Sequence, residues 1–117
     1  MEVKTGEVGG TPLIDLEGEV DHSNCGLLES AITAVLDGRR HTVLLDLQRV
    51  NYIDSGGLSV ILSAMRRLRG KGWLGVIAPN PNVLRLLEIV GLLVDPDFRV
   101  FAGRDEVEGV LARQDRP

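Results

Sequence analysis

Short aliphatic runs alternating with amphipathic stretches, with glycine as punctuation, constrain the fold of this chain more than any other feature. Val3 to Val8 turns at Gly9-Gly10 into Leu13-Ile14-Asp15-Leu16-Glu17, the pattern of a hairpin with a two-residue turn. Pro12 falls where the second strand begins, a position that tolerates a missing N–H. Gly18-Glu19-Val20-Asp21 closes that strand. Ser23-Asn24 then offers an N-cap to a helix carrying Leu28, Ala31, Ile32, Val35 and Leu36 on one stripe, ended by Asp37-Gly38.

Thr42-Val43-Leu44-Leu45-Asp46-Leu47 is an aliphatic run of the kind buried on both faces of a sheet. A brief link leads to Tyr52-Ile53-Asp54-Ser55-Gly56-Gly57-Leu58, after which Leu58, Ile61, Leu62, Met65 and Leu68 recur at helical spacing. Arg66, Arg67, Arg69 and Lys71 crowd the last turn, where cations complement the helix dipole, and Gly70 and Gly72 stop the helix. Trp73 to Ala78 is a third strand-like run. Pro79-Asn80-Pro81-Asn82 opens a helix with Val83, Leu86, Leu87 and Val90, closed by Gly91. Phe98 to Phe101 and a weak helix over Asp105 to Arg113 finish the pattern. The order β-β-α-β-α-β-α-β-α predicts an α/β domain with a mostly parallel central sheet, a leading N-terminal hairpin and about four helices.

A chain of 117 residues fits one domain, with a core expected over about 3–112 and a frayed tail over 114–117. Charge is almost balanced, 13 Lys and Arg against 17 Asp and Glu, and aromatic residues make up 3%. Direct nucleic-acid binding is therefore not expected, since it needs a basic footprint and stacking platforms. The apolar stretch Ser55 to Met65 is too short to span a bilayer, so no membrane insertion is expected. One Cys and two His are too few for an internal disulfide or a structural metal site, and they fit a cytoplasmic protein.

Enzymatic readings fail on the same residues. Ser55 has Ile53 two positions before it, where a nucleophile elbow needs Gly. His22 and His41 are the only imidazoles available to activate it. A hydrolase using Ser55 is thus a minor alternative, and no catalytic residue is assigned. His22 reads as a solvated loop residue, Cys25 as a small thiol, and the Arg66 to Lys71 cluster as solvated charge.

Asp54-Ser55-Gly56-Gly57-Leu58 joins an extended segment to a helix start that is small and free of cations. One reading is local: Asp54 or Ser55 caps the helix while the glycines permit a sharp turn. The other displays Ser55 at a helix N-terminus, where unpaired N–H groups could hold an added phosphoryl group.

Asn51 to Leu62 resembles the signature of bacterial anti-sigma factor antagonists, the stand-alone STAS domains, whose pattern is Asp-Ser-(Ser/Thr/Ala/Gly)-Gly-(Leu/Ile). Leu16 to Asp21, Val43 to Leu47, and Pro81-Asn82-Val83 to Gly91-Leu92 match in the same order, so the similarity extends from about Val3 to Ala112. The resemblance implies a non-enzymatic regulator of transcription in bacterial stress responses, working by partner switching. Its partner would be an anti-sigma factor that is also a serine/threonine kinase. The unphosphorylated form would bind it and free a sigma factor. Phosphorylation at Ser55 would end the binding, and a PP2C-type phosphatase would reset it. ATP would be used by the kinase, leaving the chain with no cofactor of its own, as a monomer or weak dimer.

The partner surface implied by the resemblance comprises Asp21, His22, Ser23, Asp54, Ser55, Gly56, Gly57, Leu58 and Ser59. Here the glycines and Ser59 are expected to let a partner backbone come close. Many members carry Ser or Thr where Gly56 stands, so this chain lacks that second hydroxyl. An alternative within the family is a scaffold subunit of a transporter-associated or stressosome-like complex, without a phosphorylation cycle.

Overall fold

The computed structural model of the protein describes residues 1–38 and 40–114. Ten elements follow one another: β1 (Glu2–Val8), β2 (Thr11–Val20), α1 (Cys25–Leu36), β3 (Thr42–Ile53), α2 (Ser55–Leu68), β4 (Trp73–Ile77), α3 (Pro81–Ile89), a 3-10 turn (Leu92–Val94), β5 (Phe98–Phe101) and α4 (Arg104–Gln114). Of the tail expected to fray, Gln114 ends α4 and residues 115–117 lie outside the described residues.

The sheet has the order β1-β2-β3-β4-β5. β1 and β2 pair antiparallel from Glu2↔Glu17 to Val8↔Thr11, and the remaining neighbours are parallel. Gly9 and Gly10 have φ of +56° and +83°, the left-handed pair that a tight hairpin turn requires. Pairing of β2 with β3 begins at Leu13↔Leu44, beyond Pro12.

Alternation along the strands builds two cores. Ile14, Leu16, Val43, Leu45, Leu47, Leu74 and Val76 face α1, α2 and α3, whose Leu28, Ile32, Ile61, Met65, Val83 and Leu87 close the larger core. Leu13, Leu44 and Ile77 point to the other face, where Val107 of α4 packs with Val8 and Phe101.

Two boundaries and one added element differ most from the sequence reading. β3 does not stop at Leu47 but runs on to Ile53, since Val50 and Ile53 continue to point into the core while Gln48, Arg49, Asn51 and Tyr52 stay exposed. α2 begins at Ser55 rather than Leu58. The Leu92–Val94 turn, entered through Gly91 at φ +84°, has no helical period to announce it. Gly72 does more than stop a helix, because its α-carbon passes so close to the His41 carbonyl that a Cβ there would overlap it.

Candidate functional site

The long overhang of β3 past β4 delivers Asp54 beside the end of β2, where the Asp54 N–H donates to the Val20 carbonyl at 3.0 Å. Asp54 is extended, with φ −95° and ψ −173°, and is the N-cap of α2. Its Oδ1 accepts from the N–H groups of Gly56 at 2.7 Å and Gly57 at 3.2 Å. Its carbonyl accepts from Leu58 N–H at 3.0 Å. Of the two candidates for the cap, Asp54 is therefore the one used.

This arrangement corrects the picture of unpaired N–H groups awaiting a phosphoryl group. Three amides of the first turn are already bound by Asp54. What the helix start presents is Ser55, exposed at the first helical position directly after a carboxylate.

The glycines are also placed differently from the expectation that they leave the surface bare for a partner. Gly56, Gly57 and Leu58 are buried. A Cβ on Gly57 would lie 2.8 Å from both Ile53 Cγ2 and Val20 Cγ1, and one on Gly56 would lie 3.1 Å from the Cα and Cγ of His22. Gly57 needs glycine for this close approach, whereas at Gly56 a side chain fits once His22 and Asp54 shift slightly. Ser59 is exposed, but its hydroxyl donates to the Ser55 carbonyl at 2.8 Å.

The loop after β2 forms the other half of the site. Asp21 Oδ1 accepts from Ser23 Oγ at 2.6 Å, Ser23 N–H at 2.9 Å and Asn24 N–H at 3.2 Å. Asn24 sits at the N-cap position of α1 without capping it through its side chain. Its Oδ1 accepts from Asp21 N–H, and its Nδ2 donates to the Glu19 carbonyl, both at 2.9 Å. The cap read from Ser23-Asn24 is diverted into bracing the loop.

The two halves meet at His22. Its N–H donates to Asp54 Oδ2 at 3.1 Å, and its ring Nδ1 lies 2.8 Å from the same oxygen. From sequence, His22 reads as a solvated residue. The ring is indeed largely exposed, yet it is bonded to a residue 32 positions away, a relation without local signal.

Both carboxylates are held below the ordinary aspartate range. For Asp21 the Ser23 hydroxyl dominates. Partial burial opposes it, backbone N–H groups of Ser23 and Asn24 assist it, and the Asp54 charge pushes weakly the other way. For Asp54 partial burial pushes the carboxyl up, and the His22 ring with the N–H groups of Gly57, His22 and Gly56 outweighs it.

Two exposed side chains near the site were not singled out from the sequence. Leu27, in the first turn of α1, is 56% exposed, and Tyr52, at the end of β3, is 51% exposed. Leu27 lies off the apolar stripe of its helix, which is the signal that could have marked it. Among the described residues, no helix is long and apolar enough to cross a membrane.

Residues 3–94 match the family model described as Mlab, STAS domain. The chain is 34% identical over 94 residues to BtrV of Bordetella bronchiseptica, covering 80% of this chain and 81% of that protein. To an anti-sigma F factor antagonist of Paenibacillus polymyxa it is 32% identical over 85 residues, 71% of this chain and 73% of that one. It is also similar to the solved structure of the Bacillus cell fate determinant SpoIIAA in the phosphorylated form, with a TM-score of 0.72, 25% identity, and coverage of 93% of this chain and 99% of the other. With its sheet order and these relatives in agreement, the chain belongs to the STAS-domain family of anti-sigma factor antagonists, which are regulators rather than enzymes.

Proposed function

We propose that this protein binds an anti-sigma factor serine kinase through the loop after β2 and the start of α2, freeing a sigma factor, and that phosphorylation of Ser55 ends the binding. The observation that carries the reading is the position of Ser55, exposed at the first residue of α2 between the capping Asp54 and the buried Gly56. The names of the relatives and the phosphorylated form of SpoIIAA support it.

The physical basis is charge. A phosphoryl group adds about −1.5 to −2 next to Asp54, whose carboxylate already acts on Asp21. Seating that dianion in a dry interface without a cation costs several kcal/mol, and about 1.4 kcal/mol is tenfold in affinity. One modification thus changes the partner without rebuilding the fold. ATP belongs to the kinase, a PP2C-type phosphatase restores the serine, and the cycle runs in the cytoplasm with the transcription machinery.

The test uses wild type, Ser55→Ala and Ser55→Glu, each titrated against purified anti-sigma factor serine kinases of the same organism, with ATP added in a parallel series. The expected result is phosphate on Ser55 of the wild type, ATP-resistant binding by Ser55→Ala and weak binding by Ser55→Glu. Equal binding by all three, with no phosphate on Ser55, overturns the switch and favours a scaffold role.

A further inference from the structure

His22 touches both residues that flank Ser55. It grips Asp54 through its backbone N–H and its ring Nδ1, at 3.1 and 2.8 Å from the same oxygen. Its Cα and Cγ lie directly over Gly56, where a Cβ would come within 3.1 Å of each. An ionised carboxylate offers only acceptors, so the proton of the ring sits on Nδ1 in this arrangement. With Oδ2 of Asp54 bound to His22 and Oδ1 bound to Gly56 and Gly57, the carboxylate is held in one orientation.

The His22 side chain is 72% exposed, so its bond to Asp54 adds little to global stability. Its effect is local. If Oδ2 is released, Asp54 is held through Oδ1 alone, and the first turn of α2, which Oδ1 caps, loosens around Ser55.

We infer that His22 is a positioning residue for phosphoryl transfer to Ser55, an inference that rests on the phosphorylation reading above. His22 fixes Asp54, Asp54 fixes the first turn of α2, and that turn presents Ser55 Oγ to ATP held by the kinase. In the transfer the Oγ–P bond forms while the bond from the γ-phosphorus to the β,γ-bridging oxygen breaks, and ADP departs. The hydroxyl proton passes to a carboxylate of the kinase. Asp54 is not its acceptor, because each of its oxygens already accepts two hydrogen bonds, Oδ2 from the N–H and Nδ1 of His22 and Oδ1 from Gly56 and Gly57.

The kinases of the binding test are supplied with full-length wild type, His22→Ala, His22→Asn and Gly56→Ala, and kcat and KM are measured for Ser55. An Asn side-chain N–H takes the place of Nδ1. In His22→Ala, kcat is expected to fall about tenfold, a larger change than the rise in KM that loss of a side chain on the docking loop brings, since misplacement of reacting groups is felt in the transfer step. His22→Asn recovers most of the loss, and Gly56→Ala, whose methyl presses on both His22 and Asp54 Oδ1, falls between them. Amide exchange at Gly56 and Gly57 quickens in His22→Ala. A wild-type kcat in His22→Ala, or an Asn variant as slow as the Ala variant, overturns the positioning role and leaves the switch standing. A wild-type chain that takes no phosphate at Ser55 overturns both.

Discussion

Arg104, at the start of α4, donates through Nε to the carboxylate of Asp46 in the middle of β3 at 2.9 Å, across 58 residues of sequence. Asp46 is 3% exposed and stands beside Asp15 in the β2–β3 register. Like charges directly opposite on neighbouring strands repel. Arg104 answers by reaching Asp15 at 3.2 Å as well, while Arg49 reaches Asp15 at 2.7 Å.

Replacing Arg104 by Met is expected to cost about 2–3 kcal/mol, less than the roughly 3–5 kcal/mol for breaking a fully buried pair, because the guanidinium itself is half exposed. Arg104→Lys recovers only part, since an ammonium cannot serve two carboxylates with a planar fork. Urea denaturation of the three proteins measures both effects.

Glycine substitutions are expected to rank by what the new methyl meets. Gly57→Ala, pressed against Ile53 and Val20, should cost about 1–3 kcal/mol, and Gly72→Ala, which meets the rigid His41 carbonyl, should exceed that range. Gly56→Ala, with its longer contacts, should be the mildest of the three in thermal denaturation.

Acid should act on the site through Asp54 and Asp21. Each has a folded-state pKa below its unfolded value, so the unfolded chain binds more protons between the two. Their contribution to stability is complete above the ordinary aspartate range and is lost as pH falls through the depressed values. Asp54→Asn and Asp21→Asn should each flatten the acid limb of a stability-versus-pH curve and leave its neutral and alkaline parts parallel to wild type.

Asn80→Ala removes the cap of α3, where Oδ1 accepts from Val83 N–H at 2.8 Å. It also removes the Nδ2 bonds to the carbonyls of Val50 and Asn51 at 3.1 and 3.3 Å, which tie α3 to the overhang of β3. A loss of about 1–2 kcal/mol is expected, near the upper end for a cap, with faster amide exchange at Val83.

The element order was legible because periods of two and 3.6 are local properties of the chain, and the glycine signals at the hairpin and at Gly91 work through φ alone. The outer half of β3 was not, because Gln48, Arg49, Asn51 and Tyr52 make a strand exposed on one face look like a link. The site was legible at Ser55 and Asp54, whose spacing belongs to one turn of helix. His22 on Asp54 and Arg104 on Asp46 join residues far apart in sequence, and only the packed sheet brings them together. Asn24 shows the same limit from the other side: its type suits a cap, yet Asp21 and Glu19 offer its side chain other partners.

The strands lie in the sheet in the order in which they occur in the chain. A growing polypeptide, released N-terminus first, can therefore extend this sheet from one edge, each new strand docking on one already made and none being inserted between two others. α4 comes last. Until it emerges, the face formed by Leu13, Leu44 and Ile77 has no helix over it, and Asp15 and Asp46 lack the arginine they share. Docking of α4 both covers the apolar face and brings Arg104 to the paired acids, so this helix acts as a latch on a sheet assembled before it.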